Sequence, residues 1–360
     1  MQMRDVIIIG AGPSGLFAAL HLPQHLRVLI LEKSSQAAVK LLMSAKGRGN
    51  LTNTSITPRQ DYQTSDSDFV EAAFECYKVQ DFLDFLAKQK IEVQEEAGSR
   101  ILLKSGKVLQ FRDFLIDTLR ERGINILYEQ ELLDIIPGSS SFQVKTDKEN
   151  FQSKKILLAS GTKSIPKIGS TDIALQLAKK FALGYTEFYP ALVGFETEKE
   201  LAILSGSSLN ARGELYCNKK LLYQQFGPIL FTHRGISGPV VFNASLYLKN
   251  LLKNPNNQIS FKIQVGQEEI TKRFLSYLGF KANKLSSYTF TTNITGVRGF
   301  DEAKISGGGI KTENLTPNFE LKSIPGLYVI GECLDVNGKT GGYNLQRCWT
   351  SAVVCARSFG

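Results

Sequence analysis

Hydrophobic residues at the start of the chain form two short runs, separated by a glycine-rich turn and a helical repeat. The apolar run Val6–Ile9 leads into Gly10–Gly15, which has the spacing Gly-x-Gly-x-x-Gly. Apolar positions recur at helical spacing through residues 16–22, and a second apolar run, residues 28–31, ends at Glu32. Short apolar runs bounded by glycine predict buried strands, and the longer repeat predicts a helix. The predicted order is strand, tight turn, helix, strand, acid.

The same patterns predict alternating helices and strands over the rest of the chain. Helices are predicted at 69–90, 111–122, 171–183 and from Asn344 to Phe359. Strands are predicted at 124–128, 142–146, 155–161 and 326–332, the last ending in a turn.

From about Tyr185 the pattern becomes mostly β. Strands are predicted at 191–196, 227–231, 258–265 and 287–294. We therefore expect an α/β fold in three stretches: a Rossmann-like nucleotide-binding domain over 1–184, an inserted β-rich domain over 185–300 with a short helical piece at 266–285, and the return of the first domain over 301–360.

Composition narrows the class of protein. The 360 residues are 42% hydrophobic and 21% charged, as in globular proteins, and no apolar run reaches the roughly 20 residues of a membrane span. The five cysteines are scattered without a C-x-x-C pair, which argues against a disulfide framework or a zinc site. Because the first strand begins almost at once, we expect no signal peptide. The cysteine pattern favours a reducing cytoplasm, and the lack of a long apolar run predicts no membrane partner.

The net charge of +9 favours a polyanionic partner such as RNA, although a solvated basic surface explains it equally well. One stretch is more biased than the rest. Between residues 249 and 284 the only acids are Glu268 and Glu269, against the cations Lys249, Lys253, Lys262, Lys272, Arg273, Lys281 and Lys284.

The glycine spacing at the N-terminus has a chemical meaning. Gly10 allows the tight turn, Gly12 lets the backbone approach a pyrophosphate, and Gly15 lets helix and strand pack closely. The helix N-terminus offers unpaired N–H groups to phosphates. An acid about 20 residues further on, here Glu32, is placed to bind a ribose hydroxyl. The sequence therefore predicts a dinucleotide site.

Two further stretches favour FAD over NAD as the resident dinucleotide. Ile156–Gly161 resembles the strand end that passes the FAD phosphates in glutathione-reductase-like flavoproteins, and Leu327–Glu332 resembles their C-terminal strand. The helix from Asn344 is then placed to direct its N-terminus at the flavin ring. Only one glycine fingerprint follows a strand, so NADH or NADPH is expected only as a transient electron donor.

Four longer motifs carry a family resemblance over nearly the whole chain. They lie at 40–53, 166–171, 230–239 and 331–346. The chain resembles a bacterial family described as NAD(P)/FAD-dependent oxidoreductases, BaiN-like flavoproteins or aminoacetone-oxidase-like proteins. The resemblance implies a glutathione-reductase-like FAD domain with a β-rich insertion.

The fingerprint and the resemblance together give a set of expected FAD-binding residues. They are Gly10, Gly12, Pro13, Ser14, Gly15, Glu32, Lys33, Lys40, Arg48, Asn50, Leu51, Thr52, Gly161, Gly331, Glu332, Asp335, Gly342, Tyr343, Asn344 and Leu345.

The chain also departs from the family pattern. Gly49 stands where the family has cysteine, so any role of that cysteine is absent here. Ala45-Lys46 replaces a glycine-containing pair, and Ser160-Gly161-Thr162 replaces the usual Thr-Gly-Gly. The helical part of the insertion is shortened to little more than 266–285.

Few side chains are candidates for chemistry on a substrate. His233, between Thr232 and Arg234, is a candidate general acid, with a structural role as the alternative. Arg48 is a candidate for binding an anionic substrate, with a plain FAD contact as the alternative.

Three activities fit these residues. The first is NAD(P)H-driven reduction of an activated C=C or similar acceptor in a small molecule. The second is reduction of uridine to dihydrouridine in RNA, for which the basic segment from 249 to 284 is the expected contact. The third is oxidation of a small amine by oxygen.

Overall fold

The computed structural model describes residues 3–198, 204–249, 251–269 and 287–360. The chain forms two compact units. Unit 1 comprises Met1–Phe188 and Gly308–Gly360, and unit 2 comprises Tyr189–Gly307.

The strands and helices have the following bounds. The strands are β1 (Arg4–Ile9), β2 (Val28–Leu31), β3 (Asn50–Asn53), β4 (Tyr62–Gln63), β5 (Val93–Glu96), β6 (Arg100–Leu103), β7 (Asn125–Leu127), β8 (Leu132–Pro137), β9 (Phe142–Thr146), β10 (Asn150–Leu158), β11 (Tyr185–Ala191), β12 (Phe195–Thr197), β13 (Ser208–Cys217), β14 (Lys220–Thr232), β15 (Gly235–Ser237), β16 (Ile259–Gly266), β17 (Ser287–Val297), β18 (Ile305–Ile310), β19 (Leu327–Val329) and β20 (Asn337–Gly338). The helices are α1 (Pro13–His21), α2 (Val39–Leu42), α3 (Pro58–Asp61), α4 (Ser67–Cys76), α5 (Val79–Lys88), α6 (Val108–Glu121), α7 (Ile173–Lys180), α8 (Pro239–Ser245) and α9 (Tyr343–Arg357).

Unit 1 is built on a sheet whose central strands are parallel, in the order β7-β2-β1-β10-β19, with β9 and β8 added antiparallel. Ile8 of β1 pairs with Ile30 on one side and Leu157 on the other. The carboxyl ends of these strands therefore share one edge, where Gly10 and Glu32 follow β1 and β2. The predicted Rossmann-type fold is confirmed.

The core of unit 1 joins the two ends of the chain. Apolar side chains of β1, β10 and α1 are almost completely buried. Trp349 of α9 stacks on Phe82 of α5, with ring centroids 5.1 Å apart, and packs edge-on against Phe17 of α1. Because α1 and α9 pack on the same side chains, the glycine-rich turn and the C-terminal motif are held together.

Unit 2 contains a closed barrel with strand order β12-β15-β14-β13-β16-β17. Ile259, Phe261, Ile263 and Val265 of β16 are buried and alternate with half-buried residues. The alternation predicted for this strand is confirmed, and it points every second side chain into the barrel.

Several predicted elements have different bounds. The predicted helix 69–90 divides into α4 and α5, because Asp81 accepts a 2.6 Å hydrogen bond from the Lys78 N–H and caps a new helix there. The predicted strand 191–196 divides between β11 and β12, and 227–231 belongs to the longer β14, which pairs with β13 almost throughout. The predicted helical piece at 266–285 lies outside the described residues from 270 onward.

None of the helices in the described ranges is long and apolar enough to cross a membrane.

Candidate FAD site

The three fingerprint glycines face different surroundings. Gly10 has φ +102°, and a Cβ there would lie 2.5 Å from the Ala159 carbonyl oxygen. A Cβ on Gly15 would lie 2.0 Å from the Gly10 carbonyl oxygen, whereas one on Gly12 would meet no atom within 4 Å. Gly10 and Gly15 are thus required by packing. Gly12, the N-cap of α1, leaves open space beside first-turn N–H groups that have no intrahelical acceptor.

Glu32 is fixed at the end of β2. Its carboxylate accepts hydrogen bonds from the Ala11 N–H at 2.7 Å and the Ser34 N–H at 2.8 Å. Each carboxylate oxygen has a second acceptor position. Glu32 therefore retains acceptor capacity for a hydroxyl beside the glycine-rich turn.

Lys33 forms an ion pair with Glu131 at 2.8 Å and borders a cavity of about 370 Å³. Glu131 and Thr171 line the same cavity. Neither residue was among the predicted FAD-binding residues. Glu131 lies outside the recognised motifs, and Thr171, the last residue of the 166–171 motif, shares a cavity with Lys33 only through the fold.

Lys40 joins three segments that are far apart in the sequence. Its Nζ donates to Ser164 Oγ at 2.5 Å and to Glu332 Oε2 at 2.7 Å. Both side chains of the Lys40–Glu332 pair are mostly buried, with 29% and 15% exposed. The predicted residues Lys40 and Glu332 are thus in direct contact.

The segment containing β3 is fastened to the start of α9. Thr52 Oγ1 donates to Gln346 Oε1 at 2.6 Å, and the Asn50 amide is placed to accept from the Gly342 N–H at 3.2 Å. Trp349 Nε1 donates to the Leu51 carbonyl at 2.9 Å. A Cβ on Gly342, which has φ +106°, would lie 2.3 Å from the Thr52 carbonyl oxygen.

The turn before α9 is equally constrained. The Asn344 amide donates to the Gly338 carbonyl at 2.8 Å and accepts from the Gly338 N–H at 3.0 Å. The Tyr62 hydroxyl donates to the Tyr343 carbonyl at 2.7 Å, and burial raises the Tyr62 pKa well above its usual range. Leu345 is half-buried. The N-terminus of this helix is therefore held rigidly.

Gly331 and Asp335 belong to the C-terminal motif at 331–346. A Cβ on Gly331 would lie 2.0 Å from Ser14 Oγ, so this backbone passes directly over α1. Asp335 accepts from Thr186 Oγ1 at 2.5 Å and from Asn337 Nδ2 at 3.0 Å. Gly161, by contrast, has open space at its Cβ position.

Two buried thiols lie near these residues. Cys333 Sγ is 3.4 Å from Ser160 Oγ, and burial raises its pKa. Burial also raises the pKa of Cys348 to about 11. Both thiols are therefore protonated at neutral pH, which makes them poor nucleophiles.

Unsatisfied buried polar atoms offer a test of whether a polar ligand fits here. Ser44 Oγ, Thr162 Oγ1 and Asn337 Oδ1 have no hydrogen-bond partner in the described part of the chain. Arg347 is only 4% exposed, and its Nε and Nη1 also lack partners there. Such groups are costly unless something pairs with them. Together with the open space at Gly12 and Gly161, they fit an extended polar ligand such as FAD.

Arg347 was not predicted. It lies near enough to Tyr62 and Cys348 to affect both electrostatically. The sequence signal was an arginine directly after the recognised motif, within the predicted closing helix. In the structure the residues that follow it in α9 are buried.

The two candidate catalytic residues are both on the surface of their units. Arg48, in unit 1, forms an ion pair with Glu96 Oε1 at 2.7 Å and lowers the pKa of that carboxyl. His233, in unit 2, is exposed in the turn between β14 and β15. Among the described residues it has no hydrogen-bond or ion-pair partner. Its neighbour Arg234 pairs with Glu196 and Glu302.

The chain matches the family described as HI0933-like protein Rossmann domain over residues 4–358. It is 30% identical to the ribosomal RNA dihydrouridine synthase of Haemophilus influenzae, covering 99% of this chain and 98% of that protein. It is 25% identical to the 3-dehydro-bile acid delta(4,6)-reductase of Clostridium scindens, covering 99% of each.

Among solved structures, the chain resembles a 3-ketosteroid-delta4-(5alpha)-dehydrogenase from Rhodococcus jostii RHA1. The TM-score is 0.55 at 12% identity, over 98% of this chain and 97% of that one. At this identity the likeness shows the fold alone.

Proposed function

This chain belongs to the HI0933-like Rossmann family of FAD-dependent oxidoreductases, and we propose that it transfers hydride from NADH or NADPH, through bound FAD, to a C=C bond conjugated with a carbonyl. The observation that carries the proposal is the convergence in unit 1. The segments at Glu32, Ala159 and Gly331 contact the glycine-rich turn at the N-terminus of α1, and the open space at Gly12 beside that turn fits FAD.

The residues have distinct proposed roles in binding. The first-turn N–H groups of α1, at Gly12–Gly15, hold the pyrophosphate, and Glu32 accepts a bond from a ribose hydroxyl. Lys40, through its bond to Glu332, holds α2 against the segment that follows β19. The N-terminus of α9 at Tyr343 would favour negative charge on a bound flavin. FAD supplies the chemistry of hydride acceptance and donation.

The substrate class follows from the chemistry that the relatives' names describe. Dihydrouridine is uridine whose C5=C6 bond has been reduced, and that bond is conjugated with the C4 carbonyl. Double bonds at positions 4 and 6 of a 3-oxo steroid are likewise conjugated with a carbonyl. In each case one carbon of the C=C receives a hydride and the other receives a proton.

Protein side chains must position the acceptor and supply this proton. We assign the proton donation to His233, whose imidazole is exposed and unpaired within the described residues. Arg48 is the candidate contact for an anionic substrate group, although its pairing with Glu96 competes with that role.

An anaerobic titration of the purified protein tests the proposal. The visible flavin band should bleach on addition of NADPH or NADH, and an enone acceptor should restore it. A flavin band that resists both nicotinamides but bleaches with a small amine, with peroxide release in air, would replace the reductase with an oxidase. A Gly12→Ala variant, whose flavin affinity is expected to fall at least tenfold, serves as the control and should show a weaker flavin band at the same protein concentration.

Uridine in ribosomal RNA is the second candidate acceptor. It is favoured by the 30% identity to a ribosomal RNA dihydrouridine synthase over nearly the full length of both proteins. Incubating unmodified ribosomal RNA with the enzyme and NADPH should produce dihydrouridine, detected by nucleoside mass spectrometry. If RNA stays unmodified while a small enone is reduced, the substrate is a small molecule.

A further inference from the structure

Unit 2 contains a long stretch of sequence without a carboxylate. From Leu215 to Gln267 there is no aspartate or glutamate, and the charged residues are Lys219, Lys220, Arg234, Lys249, Lys253 and Lys262. Such a stretch gives the surface that it forms a positive potential, which attracts polyanions.

The fold gathers part of this charge at one point. Strands β13 and β14 form a hairpin whose turn contains Asn218 and Lys219, both with positive φ. Asn218 Nδ2 donates to Asn257 Oδ1 at 3.1 Å, and Asn218 Oδ1 accepts from the Gln258 N–H at 2.9 Å. The tip of the hairpin is therefore tied to the segment that follows Lys253.

The lysines of the tip, Lys219 and Lys220, and Lys253 before the segment bonded to the tip have no carboxylate partner within the described ranges. All three are exposed. Their ammonium groups face solvent, where phosphate groups can approach without displacing a protein carboxylate.

Large apolar side chains lie along the outer face of the same hairpin. Phe226 is 66% exposed and stands opposite Arg212, and Leu221 is 42% exposed and stands opposite Tyr216. An exposed phenylalanine beside an arginine is the pattern of a surface on which a base stacks. We call the outward side of β13 and β14, with the tip lysines, the hairpin face.

Among the described residues two carboxylates lie at this face, and both are paired. Glu269 accepts from the Asn210 N–H and from Asn210 Nδ2, each at 3.0 Å, and Glu214 forms an ion pair with Arg212 at 3.4 Å. Glu214 accepts from the Tyr216 hydroxyl at 2.7 Å and from Lys262 Nζ at 3.1 Å. It lies between Phe226 and the tip, in line with Gln224 on the neighbouring strand. The centre of the hairpin face is therefore polar, which suits the bases and sugars of a nucleic acid better than the acyl chains of a membrane.

We propose that the hairpin face binds a single-stranded segment of RNA, with phosphates at Lys219 and Lys220 and a base stacked on Phe226. The inference rests on the second candidate function, the reduction of uridine in RNA. It places the contact on β13 and β14, in addition to the segment at 249–284 that the sequence suggested.

Fluorescence anisotropy of the FAD-loaded protein with a short, uridine-rich, labelled RNA tests this surface. Reversing two charges in K219E/K220E should weaken binding at least tenfold at low salt, and should reduce the slope of log K against log salt by about 1.4 or more. F226A should weaken binding about tenfold. K88E/K90E has the same change of net charge on exposed lysines of unit 1 and should bind like wild type.

The outcomes separate this surface from the redox proposal, since flavin bleaching by NADPH is measured on each variant. If K219E/K220E leaves the RNA affinity and the salt slope unchanged, the hairpin face does not bind RNA. RNA would then remain a candidate substrate that another surface binds. Absence of RNA binding in wild type, with bleaching intact, would overturn both the face and the RNA candidate. Binding to vesicles of anionic phospholipid in preference to RNA would overturn it in favour of a membrane. RNA binding that K219E/K220E weakens, in a protein whose flavin NADPH does not bleach, would support RNA binding by the hairpin face and refute the proposed reductase activity.

Discussion

The two units hold their polar side chains in opposite ways. In unit 1 the bonds at the candidate FAD site span almost the whole chain, because Lys40 and Glu332 are 292 residues apart and Thr52 and Gln346 are 294 apart. On the hairpin face of unit 2, Tyr216 and Glu214 are two residues apart and Arg212 and Gln224 are 12 apart.

The two units should therefore respond differently to substitution. A site made of long-range contacts depends on every segment being in register, so a small clash disturbs several partners at once. A surface built on neighbouring strands of one hairpin keeps its geometry when a side chain is replaced. We therefore expect large effects on folding in unit 1 and effects mainly on binding in unit 2.

The largest effect is expected for Gly342→Ala. The new Cβ would lie 2.3 Å from the Thr52 carbonyl, and the residue would keep a positive φ. The cost should be about 4 kcal/mol of unfolding free energy, with loss of bound flavin. Denaturant unfolding and the visible flavin spectrum measure both. Gly98→Ala is the matched control, because it has φ +77° and no neighbour within 4 Å, and it should cost only about 1 kcal/mol.

The next effect is expected for Lys40→Met. The substitution leaves the mostly buried Glu332 carboxylate without its cation and should cost about 2 kcal/mol, with weaker FAD retention. Lys33→Met breaks the exposed pair with Glu131 and should cost less than about 1 kcal/mol. Equal thermal shifts for the two variants would contradict the idea that the long-range pair carries more of the stability.

Gly12→Ala separates binding from folding within unit 1. Gly12 has φ −78° and open space at its Cβ position, so the apo-protein should change in stability by less than about 1 kcal/mol. The methyl group occupies the space assigned to the pyrophosphate, and flavin affinity measured by ultrafiltration should fall at least tenfold. Flavin bound at wild-type affinity would show that the pyrophosphate lies elsewhere.

The smallest effect is expected for Glu214→Gln in unit 2. The Tyr216 hydroxyl and then Lys262 hold the pKa of Glu214 below its ordinary value of 4.5. A lowered pKa means that the charged form stabilises the fold above about pH 4.5, and that this contribution is lost as the pH falls through the folded-state value. The variant should lose less than about 1 kcal/mol at pH 7, and its thermal stability should converge with that of wild type as the pH falls through the folded-state pKa of Glu214. A difference that does not shrink as the pH is lowered would mean that Glu214 acts through packing.

Local patterns were enough to predict the start and end of unit 1. The strand, turn and helix around Gly10–Gly15 and the closing helix from Asn344 follow from residue periodicity over a few turns, which neighbours in the sequence control directly. The alternation in β16 was readable for the same reason. The Rossmann-type fold is therefore recognisable from the amino-acid sequence alone.

Local residue patterns were enough for the first strand, the glycine-rich turn, the helix that follows it and the closing helix, because steric limits on the backbone act within a few residues. The contact between Lys40 and Glu332, the extension of β14 to Lys220, and the burial of Arg347 with two nitrogens unpaired among the described residues emerge only in the tertiary structure. These outcomes depend on which strands pair and which helices pack across the whole chain, and no local pattern encodes that choice.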